Sequence, residues 1–214
     1  MENYKKNLEL LTKNHVYSKE MEHDACGVGL IASTEGKKSR AIVEYGIEAL
    51  KAVWHRGAVD ADGKTGDGAG IHVEIPKDFF IEKIQVTGHD YDNSEICVGM
   101  IFLPRNDYSA QESCKTIVES ELTKNNFSIY GWRQVPVNSK VLGEKALQTM
   151  PEIIQVLFKP NDLNLLDKNL ERKIYETRKR IENKAFDASL NNFYICSISS
   201  KSIIYKGLYL AEAL

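Results

Sequence analysis

Apolar positions recur along the chain with two periods, and the places where the period changes divide it into elements. Tyr4, Leu8 and Leu11 fall near helical spacing and predict a short leader helix over 2–13. Residues 26–32 form an apolar run closed by the polar turn Ser33-Thr34-Glu35-Gly36 and read as a strand. Ser39 is placed to cap a helix over 40–54, whose Ile42, Ile47, Leu50 and Trp54 share a face. Alternation over 71–75 predicts a short strand stopped by Pro76, and 95–103 a strongly apolar one. A helix over 108–123, one or two strands over 127–137 and a strand over 153–158 follow. A charged helix over 170–183 turns Ile174 and Ile181 inward, and 193–199 and 202–206 alternate about Ser200-Lys201 like a β-hairpin. Grouped strands between helices predict a mixed, layered α+β architecture, not a strict βαβ alternation.

Composition narrows the classes. With 43% hydrophobic and 27% charged residues and a net charge of -2, the chain has the make-up of an ordinary globular protein. That charge gives no bulk attraction for nucleic acid or an anionic membrane. No apolar run approaches the roughly 18–20 residues that span a bilayer. The first twenty-five residues lack the core of a signal peptide, since Glu9 interrupts Leu8, Leu10 and Leu11. A cytoplasmic protein without nucleic-acid or membrane partners is expected. Cys26, Cys97, Cys114 and Cys196 lie far apart with no CxxC pair, which argues against a zinc site or a disulfide framework. Cys97, Cys114 and Cys196 are expected to be packing thiols.

Two segments carry candidate chemistry. The first, HRGAVDADGKTGDGAG over 55–70, holds five glycines and three aspartates and cannot be a helix or a regular strand. It lacks the spacing of a phosphate-binding loop or of a calcium loop. As a long surface turn it needs no ligand. As a site, its bare backbone lets a small molecule or another segment approach closely, with Arg56 beside it as a fixed cation able to hold a carboxylate. Asp60 and Asp62 are expected to organise the turn through Asx hydrogen bonds and not to bind metal. The second segment is EHDACGVGLIA over 22–32. A lone cysteine is by default a small buried hydrophobe. None of the five histidines forms a Cys-His signature with Cys26. Cleavage of the Ala25–Cys26 bond would give Cys26 an α-amine of pKa about 7.7–8.0, so that one residue supplies nucleophile and base.

Taken together, DACGVGLIAS and the later ALKAVWHRGAVDADGKTGDGAGI, with YGWRQVPV and FYICSISSKSIIYKG downstream, resemble the glutaminase domain of glutamate synthase large subunits. The resemblance runs from about Glu20 onward. It implies a class II glutamine amidotransferase with the N-terminal nucleophile hydrolase fold, a four-layer αββα sandwich, here incomplete. It also implies a leader over 1–25 and the catalytic domain over 26–214. Cys26 matches the nucleophile and Arg56 the arginine that orders the site. Gly27 and the loop containing Thr65, Gly66, Asp67 and Gly68 match the pocket. L-glutamine is the implied substrate, split through a Cys26 thioester, with ammonia passed on for reductive glutamate synthesis from 2-oxoglutarate.

No cofactor or metal is expected in this segment. The complete enzyme would imply FMN, an iron–sulfur cluster, and NAD(P)H or ferredoxin as electron donor. The implied partners are the rest of the large subunit, a small subunit or ferredoxin. The family draws its oxyanion hole from an Asn-Gly pair in a later HNGEIN-like segment, and its substrate clamp from an arginine in an RFST-like segment and a later aspartate. No Asn-Gly dipeptide occurs in these 214 residues. The expectation is therefore an N-terminal piece of such a subunit, weakly active or inactive by itself. The competing readings are a non-catalytic interaction module of the same fold and another N-terminal nucleophile amidohydrolase.

Overall fold

Six of the seven residues from Cys97 to Leu103 are buried, so this strand must be covered on both faces. The structure, a computed structural model, describes residues 2–14, 26–53, 57–162 and 167–214. In chain order the elements are α1 (Glu2–Asn14), α2 (Arg40–Ala52), β1 (Ala69–Glu74), α3 (Lys77–Val86), β2 (Cys97–Leu103), α4 (Tyr108–Lys124), β3 (Phe127–Gln134), α5 (Glu144–Thr149), β4 (Glu152–Pro160), α6 (Asp167–Asp187), β5 (Tyr194–Ser199) and β6 (Ser202–Gly207). Short 3-10 turns lie at Ser139–Val141 and Ala211–Ala213. The helix caps follow the chemistry of their side chains. Ser39 Oγ accepts from Ala41 N (3.1 Å) to start α2, and the Asp107 carboxylate accepts from Ala110 N (2.9 Å) to start α4.

Two antiparallel sheets form, one ordered β3-β4-β2-β5 and the other β1-β6. The larger sheet has two apolar faces. Cys97, Ile101, Leu103, Val156 and Phe158 meet Cys114, Val118 and Leu122 of α4 and Ile174 and Ile181 of α6 in one core. Val98, Met100, Tyr130 and Leu157 meet Ile203 of β6 and Phe80 and Ile84 of α3 in the other. α2 rests against β1 with none of its residues fully buried. The order is thus helix, sheet, sheet, helices, the αββα layering expected. Each buried aliphatic or aromatic side chain of these cores contributes about 1.5–3 kcal/mol.

The structure corrects two strand expectations. Residues 26–32 take no strand, and Val28 and Leu30 are 94% and 89% exposed. The apolar pattern is present, but a strand also needs a hydrogen-bonded neighbour, and among the described residues none pairs with this segment. Nor do β5 and β6 form a hairpin. The chain passes from the large sheet to the small one across Ser200-Lys201. Glu171 on α6 holds that crossing by accepting from Ser199 Oγ (3.0 Å), Ser200 N (2.7 Å) and Ser200 Oγ (2.7 Å). Two elements have no counterpart in the periodicity. α3 begins straight after Pro76 and buries only Phe80 and Ile84, and α5 is six residues long. The ends of the leader and of the helix over 40–54, with Trp54, lie outside the described residues.

Ser200 is buried, so losing its acceptor leaves an unpaired N–H. Glu171→Ala should cost about 2 kcal/mol, and Glu171→Gln about half of that. For a chain of this size that is a fall in Tm of about 4–8 °C for the alanine variant, read by thermal unfolding. An unchanged Tm would deny the anchor.

A second tie joins α4 to α6. Glu121 is buried, and its Oε1 lies 2.5 Å from Lys184 Nζ and 3.6 Å from Lys124 Nζ. The Lys184 ammonium beside it, with Lys124 behind, holds the Glu121 carboxyl below the usual glutamate range. The folded pKa is depressed, so this stability is present above the unfolded value of about 4.3 and lost as pH falls through the folded value. Lys184→Met should therefore destabilise the fold at pH 7 by leaving the Glu121 carboxylate without its nearest cation. Denaturant titrations should show that gap shrinking below about pH 4, whereas a pH-independent gap would contradict the ion pair.

Candidate active site

Glycine density makes the segment after α2 unable to hold regular structure, and the chain folds it back on itself. Asp60 N donates to Thr65 O (2.9 Å), Gly63 N to Asp60 O (2.9 Å) and Asp67 N to Ala58 O (3.2 Å). Val59 and Gly66 form an isolated antiparallel bridge, and Gly63 turns the chain at φ +68. The result is a miniature hairpin over 58–67. Asp62 Oδ1 accepts from Lys64 N (2.9 Å) and Thr65 N (2.7 Å), and Oδ2 accepts from Thr65 Oγ1 (2.5 Å). These bonds, the Thr65 hydroxyl first, hold the Asp62 carboxyl far below the usual range. Asp60 accepts from Ala61 N (2.6 Å) and Lys145 Nζ (2.5 Å), and the lysine lowers its pKa most. The two aspartates organise backbone, as the Asx reading expects.

The glycines of this hairpin serve close approach. A Cβ on Gly66 would stand 2.8 Å from the Tyr209 carbonyl oxygen, and one on Gly70 would stand 2.7 Å from Lys206 Cβ. Side chains there would push the C-terminal segment and β6 away. Residues 67–70 thereby reach an open cleft of about 1930 Å³, which Cys26 and Gly27 also line. Asn138, Leu142, Ala146, Thr149, Tyr194 and Lys206 contribute further lining.

The structure thus brings Cys26, Gly27, Asp67 and Gly68 to one cleft. Thr65 and Gly66 are buried behind its lining, against Asp62 and Tyr209. Arg56 and His55 lie outside the described residues, as does the Ala25 side of the expected scission point. His72 lines the cleft but engages Ser202 Oγ through Nε2 (2.6 Å). Tyr209, Gly143 and Lys145, which shape the hairpin from behind, carry no local sequence signal. Their partners are set by tertiary contact alone.

The four thiols divide sharply. Cys97, Cys114 and Cys196 are buried, and Cys26 is exposed. Burial pushes the Cys97 and Cys196 thiols up, and raises Cys114 to about 11. Those three are poor nucleophiles. Among the described residues no group of His, Cys, Asp and Glu is placed to hold a metal ion, and no helix is long and apolar enough to cross a membrane.

Comparison with known proteins bears on this arrangement directly. The family profile described as "Glutamine amidotransferases class-II" matches residues 26–214 and starts at Cys26. The NADPH glutamate synthase large chain of Azospirillum brasilense is 53% identical over 211 residues, which cover 99% of this chain and 14% of that protein. Ferredoxin-dependent glutamate synthase 1 of Arabidopsis thaliana is 39% identical over 195 residues, 90% of this chain and 12% of that one. A Synechocystis ferredoxin-dependent glutamate synthase 2 is 37% identical over 188 residues, 87% of this chain and 12% of its own length. The chain therefore spans about an eighth of the length of these relatives. On its sequence match and its stacked sheets between helical layers, the chain belongs to the class II glutamine amidotransferase family.

Proposed function

We propose that this chain is the glutamine-hydrolysing part of a glutamate synthase, with Cys26 as its nucleophile. One observation carries the reading. The only exposed thiol among the four opens into the cleft that the glycine hairpin lines. In this reading the leader over 1–25 is removed and the freed α-amine of Cys26 takes the thiol proton. Sγ then attacks the carboxamide carbon of L-glutamine and a C–S bond forms. The held proton passes to the leaving nitrogen as the C–N bond breaks, releasing ammonia. Water cleaves the thioester to give glutamate and the free thiol, so that glutamine and water become glutamate and ammonia. Gly27, Asp67 and Gly68 shape the pocket, Thr65 and Gly66 hold the hairpin behind it, and Arg56 orders the site.

The ammonia would be consumed in the remainder of the large subunit, working with a small subunit or ferredoxin. The unpaired thiols suit the reducing environment of the cytoplasm. The exposed Val28 and Leu30 favour one competing reading, a non-catalytic interaction module with its leader retained.

Intact-mass analysis after exposure to 6-diazo-5-oxo-L-norleucine, a glutamine-like diazoketone, separates the two. The expected product has lost residues 1–25 and carries one adduct, which Cys26→Ser abolishes. A full-length mass with no adduct would sink the enzymatic reading.

A further inference from the structure

The glycine hairpin does not hold its place by its own bonds alone. Asp62 sits against the start of α5, where Gly143 occupies the cap position and offers no side chain to the helix. A Cβ on Gly143 would overlap Asp62 Oδ2 and Thr65 Oγ1, so the two segments touch with no space between them. Asp62 meanwhile collects hydrogen bonds from Lys64 N, Thr65 N and Thr65 Oγ1. One carboxylate therefore closes the hairpin and packs against the start of a helix some eighty residues away in sequence. Lys145, the second residue of α5, reaches back to Asp60 at 2.5 Å as a second, solvent-facing tie.

The position of this junction gives it a role in the site. Thr65 and Gly66 are buried directly beside it, and the next residues, Asp67 and Gly68, line the cleft with Cys26. On its other side, Ala146 and Thr149 of α5 line the same cleft. Both arms of the junction are thus parts of one cavity wall, and the Asp62 carboxylate sets their spacing.

We propose that Asp62 is a positioning residue for substrate binding, fixing residues 67–70 against the α5 arm so that the cleft beside Cys26 fits its ligand. This inference rests on the glutamine reading given above. Asp62 touches no reacting atom in it and acts through Thr65 and the hairpin. Asparagine at this position keeps one acceptor oxygen for the Lys64 and Thr65 amides, and alanine keeps none.

The test is protection of Cys26 from iodoacetamide by L-glutamine, followed by intact mass on the full chain. The buried thiols supply an internal check, since a folded molecule takes one label and an unfolded one takes four. For Asp62→Ala the expected result is a single label at the native rate without glutamine, together with about a tenfold or larger rise in the glutamine concentration that half-protects. Asp62→Asn should recover most of that loss. A folded Asp62→Ala chain protected at the native glutamine concentration overturns the inference and leaves the functional reading standing. If Asp62→Ala takes four labels, Gly143→Ala, which forces the junction apart, carries the test, and native half-protection with a single label refutes the inference. Weakened protection in Gly143→Ala supports the inference. A native chain that glutamine does not protect at all overturns the functional reading and this inference with it.

Discussion

β2 has no face to give to water, and the rest of the molecule is arranged around that constraint. Its residues alternate between two cores, one closed by α4 and α6, the other by the small sheet and α3. At Gly99 even a single added carbon would stand 2.7 Å from Val156 Cγ1. A strand packed this closely fixes β4 and β5 beside it and the layers above and below. The second core is what seats β1 and β6, and the glycine hairpin enters the cleft directly from the start of β1. The position of the candidate nucleophile's cleft is thus set by packing that contains no catalytic group.

The hairpin itself illustrates a different physical economy. Its glycines are used where backbone meets backbone, at Gly66 against Tyr209 and at Gly70 against Lys206. Its aspartates are spent on local amides and on α5. Three carboxylates in eight residues would repel one another if left free, yet two of them are neutralised by hydrogen bonds and by Lys145. What reaches the cleft is a short glycine-rich stretch with the third carboxylate, Asp67, at its head.

Much of this was legible in the sequence where the signal is local. Ser39 caps α2 through a bond to Ala41 N, and the apolar run before Leu103 is a buried strand, because propensity and packing agree there. The site was legible in part. Cys26 and the glycine segment share a cleft as their pairing suggested, but Thr65 and Gly66 turn away from it. Nothing in the order of residues tells which side of a hairpin faces inward. Residues 26–32 show the same limit in another form. Their pattern is that of a strand, but pairing is a property of two segments, and among the described residues no strand pairs with this one. The crossing at Ser200-Lys201 departs from the alternating pattern for a related reason. Two alternating runs around a short turn fit a hairpin and a change of sheet equally well, and the choice is made by Glu171, far off in sequence.

The small sheet has a dynamic consequence. It consists of two strands joined across a long span, with His72 and Ser202 130 residues apart. Two strands alone are marginal in water, and α2 behind them buries no residue fully. Opening of β1 from β6 therefore costs less than unfolding the four-stranded sheet, and local unfolding of the protein begins at the wall of the cleft. In amide exchange the order of loss would be read from β1 before β2. The part of the molecule that carries the glycine stretch is thus held by a single strand pairing, where the four-stranded sheet has three.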